Sequence, residues 1–175
     1  MDWRRLGTGA ALTALAALAA GTATTPARAQ QLAIAGAADL ATGIEGGGRG
    51  PASGVRRART LIRAGAEAYV DESPKNRVGA ALLLELEPHT AAGADLRYIR
   101  MLSDRFTLQL GGVAMLAPST LVGATVGADY RFPLSPTVAL TASPTVQVYF
   151  LGTDLPDGSV IWQGLLHVGV HVDLF

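Results

Sequence analysis

Cysteine is absent from the chain. That removes disulfides, thiol nucleophiles and thiolate metal sites together. Lysine is nearly absent as well: Lys75 stands alone, while arginine is common. Charge of either sign is sparse, and Lys plus Arg equals Asp plus Glu at 14 each. No net charge therefore argues for a nucleic-acid partner. No apolar run reaches the roughly 20 residues that a spanning helix needs. After Gln30 there is no long amphipathic helix, coiled coil or repeat motif. At 175 residues the chain is one domain's worth of polypeptide.

The amino terminus has a different character from the rest. Met1-Asp2-Trp3-Arg4-Arg5 is followed by an apolar stretch from about Leu6 to Ala20, then by Ala27-Arg28-Ala29 before Gln30. A charged start, a short apolar stretch and a small-x-small site together predict a secretory signal, cleaved after Ala29. Residues 1–29 are accordingly set apart from a folded domain over 30–175.

Within 30–175 the apolar residues alternate with polar or small ones, the period of a strand with two unlike faces. Ile62, Ala64, Ala66 and Ala68 alternate with Arg59, Arg63 and Glu67. Leu82, Leu84 and Leu86 alternate with Glu85 and Glu87; Leu96 and Tyr98 alternate with Asp95 and Arg97. Phe106, Leu108 and Leu110 oppose Thr107 and Gln109, and Val126, Tyr130 and Phe132 oppose Asp129 and Arg131. Val146, Val148 and Phe150 oppose Ser143, Thr145 and Gln147; Trp162, Leu166, Val168 and Val170 oppose Gln163, His167 and His171. A weaker, Ala- and Gly-rich run spans about Leu32 to Ile44. Gly, Pro, Asp and Ser clusters punctuate the runs, among them Glu45–Gly50, Glu72–Asn76, Pro88–Gly93, Pro133–Pro136 and Asp154–Gly158. Pro144 falls inside the seventh run and predicts a bulge or an interrupted strand, because proline cannot donate to a ladder. The pattern predicts about eight antiparallel strands in an up-and-down barrel.

Alternation leaves two barrels open. A membrane barrel turns its apolar face outward and its polar face to the lumen. A soluble barrel does the reverse and can hold an apolar ligand. Three features favour the membrane. If strand one starts in the periplasm, the connections after the odd strands are the outer ones, and those after one, three and seven are generally longer, while the one after five, near Ala117–Ser119, is short. Phe106, Tyr130 and Phe132 fall near one end of the apolar face and Phe150 and Trp162 near the other, as two aromatic belts. The opposite face carries Arg59, Arg63, Glu67, Glu85, Asp95, Arg97, Asp129 and Arg131, charges of both signs that can neutralise each other in a narrow lumen.

On these residues the chain resembles the small eight-stranded outer-membrane β-barrel proteins of Gram-negative bacteria. The resemblance covers 30–175 as architecture and has no signature motif. It implies an all-β transmembrane barrel in the cell outer membrane, with the lipid bilayer as partner. Such families tend to end in an aromatic residue, and this chain ends Val172-Asp173-Leu174-Phe175, so Phe175 is a candidate assembly signal.

Chemistry-bearing candidates are few. His167 and His171 flank Gly169 on the polar face, with Asp173 beyond. A histidine pair beside a carboxylate can bind metal or move protons, yet no third ligand is spaced to match. Hydrogen-bonded lumen residues are the expected reading. Ser143 and His167, with Glu67 or Glu85 as orienter, have no local sequence supporting a nucleophile and base. Gly46-Gly47-Gly48-Arg49-Gly50 lacks the features of a phosphate loop. Arg56, Arg57 and Arg59 at the outer start of strand two suit either anionic headgroups such as those of lipopolysaccharide or an ordinary rim or lumen cluster. No catalytic residue, metal or cofactor is assigned. The expected role is structural or interactive, in a barrel with a plugged, charge-paired lumen. The alternatives are a soluble periplasmic barrel for an apolar ligand and a lipid-modifying membrane enzyme.

Overall fold

A computed structural model describes residues 34–48, 54–70, 75–87, 89–153, 155 and 158–174, and of residues 54–57 the backbone only. The expected signal over 1–29, its cleavage site, the side chains of Arg56 and Arg57, and Phe175 lie outside the described residues.

Eight strands form one closed sheet. They are β1 (Ile34–Gly48), β2 (Gly54–Tyr69), β3 (Asn76–Glu87), β4 (Ala91–Met101), β5 (Phe106–Ala117), β6 (Leu121–Pro133), β7 (Val138–Gly152) and β8 (Val160–Asp173). Each pairs antiparallel with the next, and β8 closes on β1. Closure leaves no free edge, which suits a sheet without disulfides.

The alternation decides the faces, and it does so in the membrane sense. Leu82, Leu96 and Leu110 point outward and are each 60% exposed. Leu40, Leu108, Val126, Phe132, Leu140, Leu166 and Val168 share that outer face. The buried residues include Asp39, Arg63, Glu67, Arg77, Glu85, Asp95, Arg97, Asp129, Arg131, His167 and His171. In water this distribution would forfeit most of the hydrophobic driving force, at roughly 25 cal/mol per Å² of apolar surface. In hydrocarbon it costs nothing, and closing the sheet lets the strands satisfy their backbone groups against one another, as a lipid-facing sheet must.

The structure corrects three local expectations. The first concerns loop asymmetry. At the end where β1 starts and β8 finishes, here the near end, the connections are 70–75, 102–105 and 134–137. At the far end they are 49–53, 88–90, 118–120 and 153–159. The far connections are not systematically longer, because Gly46–Gly48 extend β1 and Ala91–Gly93 open β4. Small residues fit a ladder as readily as a turn. The second concerns the end of the weak first run, whose strand continues past Ile44 to Gly48. The third concerns Pro144. Strand β7 runs through it without a break, and Pro144 stays opposite Leu166 of β8. Only the pairing with β6 lapses, between Gly127↔Thr145 and Tyr130↔Ala142. The residue without an N–H therefore costs one ladder a few bonds and leaves the strand intact. Register shifts occur at Glu45/Gly46, Thr60/Leu61, Ala92/Gly93 and Val122/Gly123, all toward the far end, where bulges typically sit on barrels.

Candidate functional site

The interior is the only place where the described residues gather polar side chains in number. Among the described side chains, the buried positions of every strand are mostly odd-numbered, and their chemistry changes along the barrel.

Toward the far end, Arg59 bridges Glu45 and Glu85. Gln163 Nε2 also donates to Glu45 Oε2 at 3.2 Å. An apolar cluster also lies inside: Leu61, Leu83, Val113, Met115, Tyr149 and Leu165, with Ala41. The Tyr149 hydroxyl donates to Gln147 Oε1 at 2.8 Å, so its one polar atom is satisfied. This plug was not foreseen. Its signal was present, since these apolar residues occupy odd positions among polar ones.

In the middle, two networks sit side by side. Arg63 Nε donates to Asp39 Oδ2 at 2.7 Å. His167 Nδ1 lies 2.6 Å from Asp39 Oδ1, and His167 Nε2 lies 3.0 Å from Thr145 Oγ1. The second network centres on Asp129, which accepts from Thr107 Oγ1 at 2.9 Å, from Gln109 Nε2 at 3.0 Å and from Ser143. Arg97 joins it through Gln109, and donates from Nε to Asp95 Oδ1 at 3.0 Å.

Toward the near end, Arg77 and Arg131 share Glu67. Arg77 Nη1 donates to Glu67 Oε2 at 3.3 Å, and Arg131 Nη2 is 3.6 Å from the same oxygen. His171 Nε2 lies 3.2 Å from both Arg77 Nη1 and Asp173 Oδ1. The Arg77 guanidinium also stacks 4.5 Å over the Tyr69 ring.

Every charged lumen residue singled out in the sequence therefore points inward, but the partnerships differ from those imagined. The two histidines do not share a site. Ser143 bonds to Asp129, not to His167, and the carboxylate that orients His167 is Asp39, not Glu67 or Glu85. Asp39, Glu45 and Arg77 are not among the sequence candidates, Asp39 and Glu45 because the first run reads so weakly, whereas Thr145 is legible only as a polar-face position. The Asp39–His167–Thr145 line has the order of a relay, but His167 is 1% exposed. A void lined by Asp39, Arg63, Glu67, Arg97, Asp129, Arg131 and His171 offers only about 10 Å³ to the centre of a water-sized sphere. That is about one water's worth, too little for a substrate. Among the described residues no group of three or more His, Asp or Glu is placed to hold a metal ion.

On the outer face, Phe106 lies opposite Tyr130, whose ring centroid is 4.7 Å from that of Phe132. Phe150 and Trp162 lie toward the other end, on β7 and β8. Beyond the near-end aromatics, Val70, Leu102, Leu134 and Leu174 follow the ends of β2, β4, β6 and β8. Each is exposed, and each N–H bonds to the carbonyl of a neighbouring strand's first residue.

No family model matches the chain, and no curated protein does. Among solved structures, Neisserial surface protein A aligns at 16% identity, with a TM-score of 0.53, over 81% of this chain and 97% of that one. Ail, the attachment invasion locus protein of Yersinia pestis, solved in complex with the heparin analogue sucrose octasulfate, aligns at 9% identity with a TM-score of 0.46, over 79% and 98%. A de novo designed transmembrane β-barrel aligns at 12% identity with a TM-score of 0.43, over 78% and 95%. With apolar side chains outward, ionic ones inward and eight strands closed in sequence order, the chain has the fold of the small eight-stranded outer-membrane β-barrels.

Proposed function

We propose that this protein is a sealed outer-membrane barrel whose role is structural or interactive, exercised through its surfaces and not by conduction. One observation carries the reading: among the described residues, paired charges and an apolar cluster occupy the lumen, and the void beside Asp39, Arg63 and Asp129 offers only about 10 Å³. A conducting pore needs a continuous wet path, and a soluble ligand-binding barrel needs an interior space to hold its ligand. Planar bilayer recording of the purified barrel is expected to show no steady conductance, and cell fractionation to recover it only with detergent. A large sustained conductance, or recovery in the soluble fraction, contradicts the reading.

Two finer points belong to the same proposal. Residues 1–29 act as the export signal, so N-terminal sequencing of the mature protein is expected to begin at Gln30; an intact Met1 would refute this. The near end then faces the periplasm. That puts the start of β2, with Arg56 and Arg57, at the outer rim, where lipopolysaccharide phosphates are the complementary chemistry, while Arg59 is already engaged by Glu45 and Glu85 within the lumen.

A further inference from the structure

Seven of the eight strand pairings join neighbours in sequence; the eighth is the seam where β1 meets β8. Loop-closure entropy rises with sequence separation, so the hairpins form cheaply and the seam does not. The His167–Asp39 contact across it spans 128 positions.

The interior side chains at the seam form an ordered line. Asp39 is on β1. One of its carboxylate oxygens accepts from Arg63 on β2 at 2.7 Å; the other faces His167 Nδ1 on β8 at 2.6 Å. The far side of the imidazole meets Thr145 on β7 at 3.0 Å. The line crosses β2, β1, β8 and β7, the four strands that flank the closure. A second line repeats part of that order farther along β1, where Arg59 of β2 and Gln163 of β8 both engage Glu45. Gly169 gives the first line its clearance. It pairs directly with Asp39, and a Cβ there would lie 2.4 Å from the Asp39 side chain.

The line also discriminates register. A slip of one residue would turn His167 out into lipid. A slip of two would set Asp39 against His167 or His171 directly, where Gly169 now leaves space for its side chain. The β1–β8 ladder runs from Ala35↔Asp173 to Gly48↔Val160 without a shift, as three of the hairpin ladders do, whereas the other four each contain one.

We propose that Arg63, Asp39, His167 and Thr145, with Gly169 as clearance, form a latch that holds the barrel's closing seam in a single register. His167 is thus a positioning residue for closure, which explains a buried imidazole with no substrate space beside it.

The test is hydrogen–deuterium exchange by mass spectrometry on the full mature chain refolded in lipid vesicles. His167→Leu is expected to accelerate amide exchange in β1 and β8 by about tenfold or more, the factor carried by one hydrogen bond to a charged group. Exchange in β4 and β5 should stay as in the parent. His171→Leu is the comparator: it is buried on the same strand, but it meets Glu67 on β2, Arg77 on β3 and Asp173 on β8. It should not produce the β1-and-β8 pattern. Equal effects of the two substitutions, acceleration spread evenly over all strands, or no change at the seam would overturn the latch. Should His167→Leu fail to fold, Thr145→Val removes only the outermost bond, and is read by the same criterion with a smaller expected factor.

Discussion

Glu67→Ala is expected to destabilise the barrel by about 3–5 kcal/mol, the usual cost of removing one partner from a buried ionic group. Glu67 Oε2 is the carboxylate oxygen that Arg77 and Arg131 share, at 3.3 and 3.6 Å. Both guanidiniums are buried, and in each the Nε already lacks a hydrogen-bond partner. Without Glu67 two like charges would face each other, with Asp173 as the remaining acid near Arg77 at 3.9 Å. Glu67→Gln should recover part of the loss, because an amide oxygen still accepts from Arg77 but supplies no charge. Urea unfolding in vesicles, followed by the fluorescence of Trp162 in the mature chain, measures the difference. A loss under about 1 kcal/mol would mean that this end of the lumen is wet enough to solvate the arginines, as at an exposed ion pair.

Leu96→Arg is the second large effect, expected at about 2–4 kcal/mol for an arginine on the lipid face near the bilayer midplane. Leu96 sits at the middle of β4, 60% exposed, with Ala80 and Gly112 as its cross-strand partners. Among the described residues no acid neighbours Leu96 on that face to pair with the new charge. Arg100, one turn of the pleat past Tyr98 on the same face, belongs to the near-end boundary, where a long cationic side chain reaches headgroups. Moving the substitution toward that boundary should lower its cost in steps. In a soluble barrel, the same arginine on an exposed surface would change stability by a few tenths of a kcal/mol, so the depth dependence separates the two environments.

How much of this was legible in advance depends on which residues are asked. The strong runs from β2 to β8 could be read because Leu, Val and Phe alternate there with Arg, Asp, Gln and Thr, a period-two signal that needs no tertiary information. β1 read poorly because Ala and Gly carry little hydrophobic contrast, and its two inward acids, Asp39 and Glu45, were lost with it. Partner choice was not legible at all. His167 pairs with Asp39 because closure brings β8 against β1, and His171 with the Arg77–Glu67 group because β8 ends near β2 and β3 across the lumen; neither follows from spacing along one strand. The apolar plug was missed for a different reason. Leu61, Leu83 and Leu165 are as hydrophobic as Leu82 and Leu166, and only the parity of their positions distinguishes core from lipid face.

That last contrast also provides the decisive measurement. A diazirine probe dissolved in the acyl phase of vesicles containing the unmodified mature barrel can be activated by light, and its adducts mapped by mass spectrometry. The account predicts insertion at Leu82, Leu96, Leu110, Val126 and Val168, and none at Leu61, Leu83 or Leu165, although these are chemically alike. Adducts on the second set with the first set spared would contradict it.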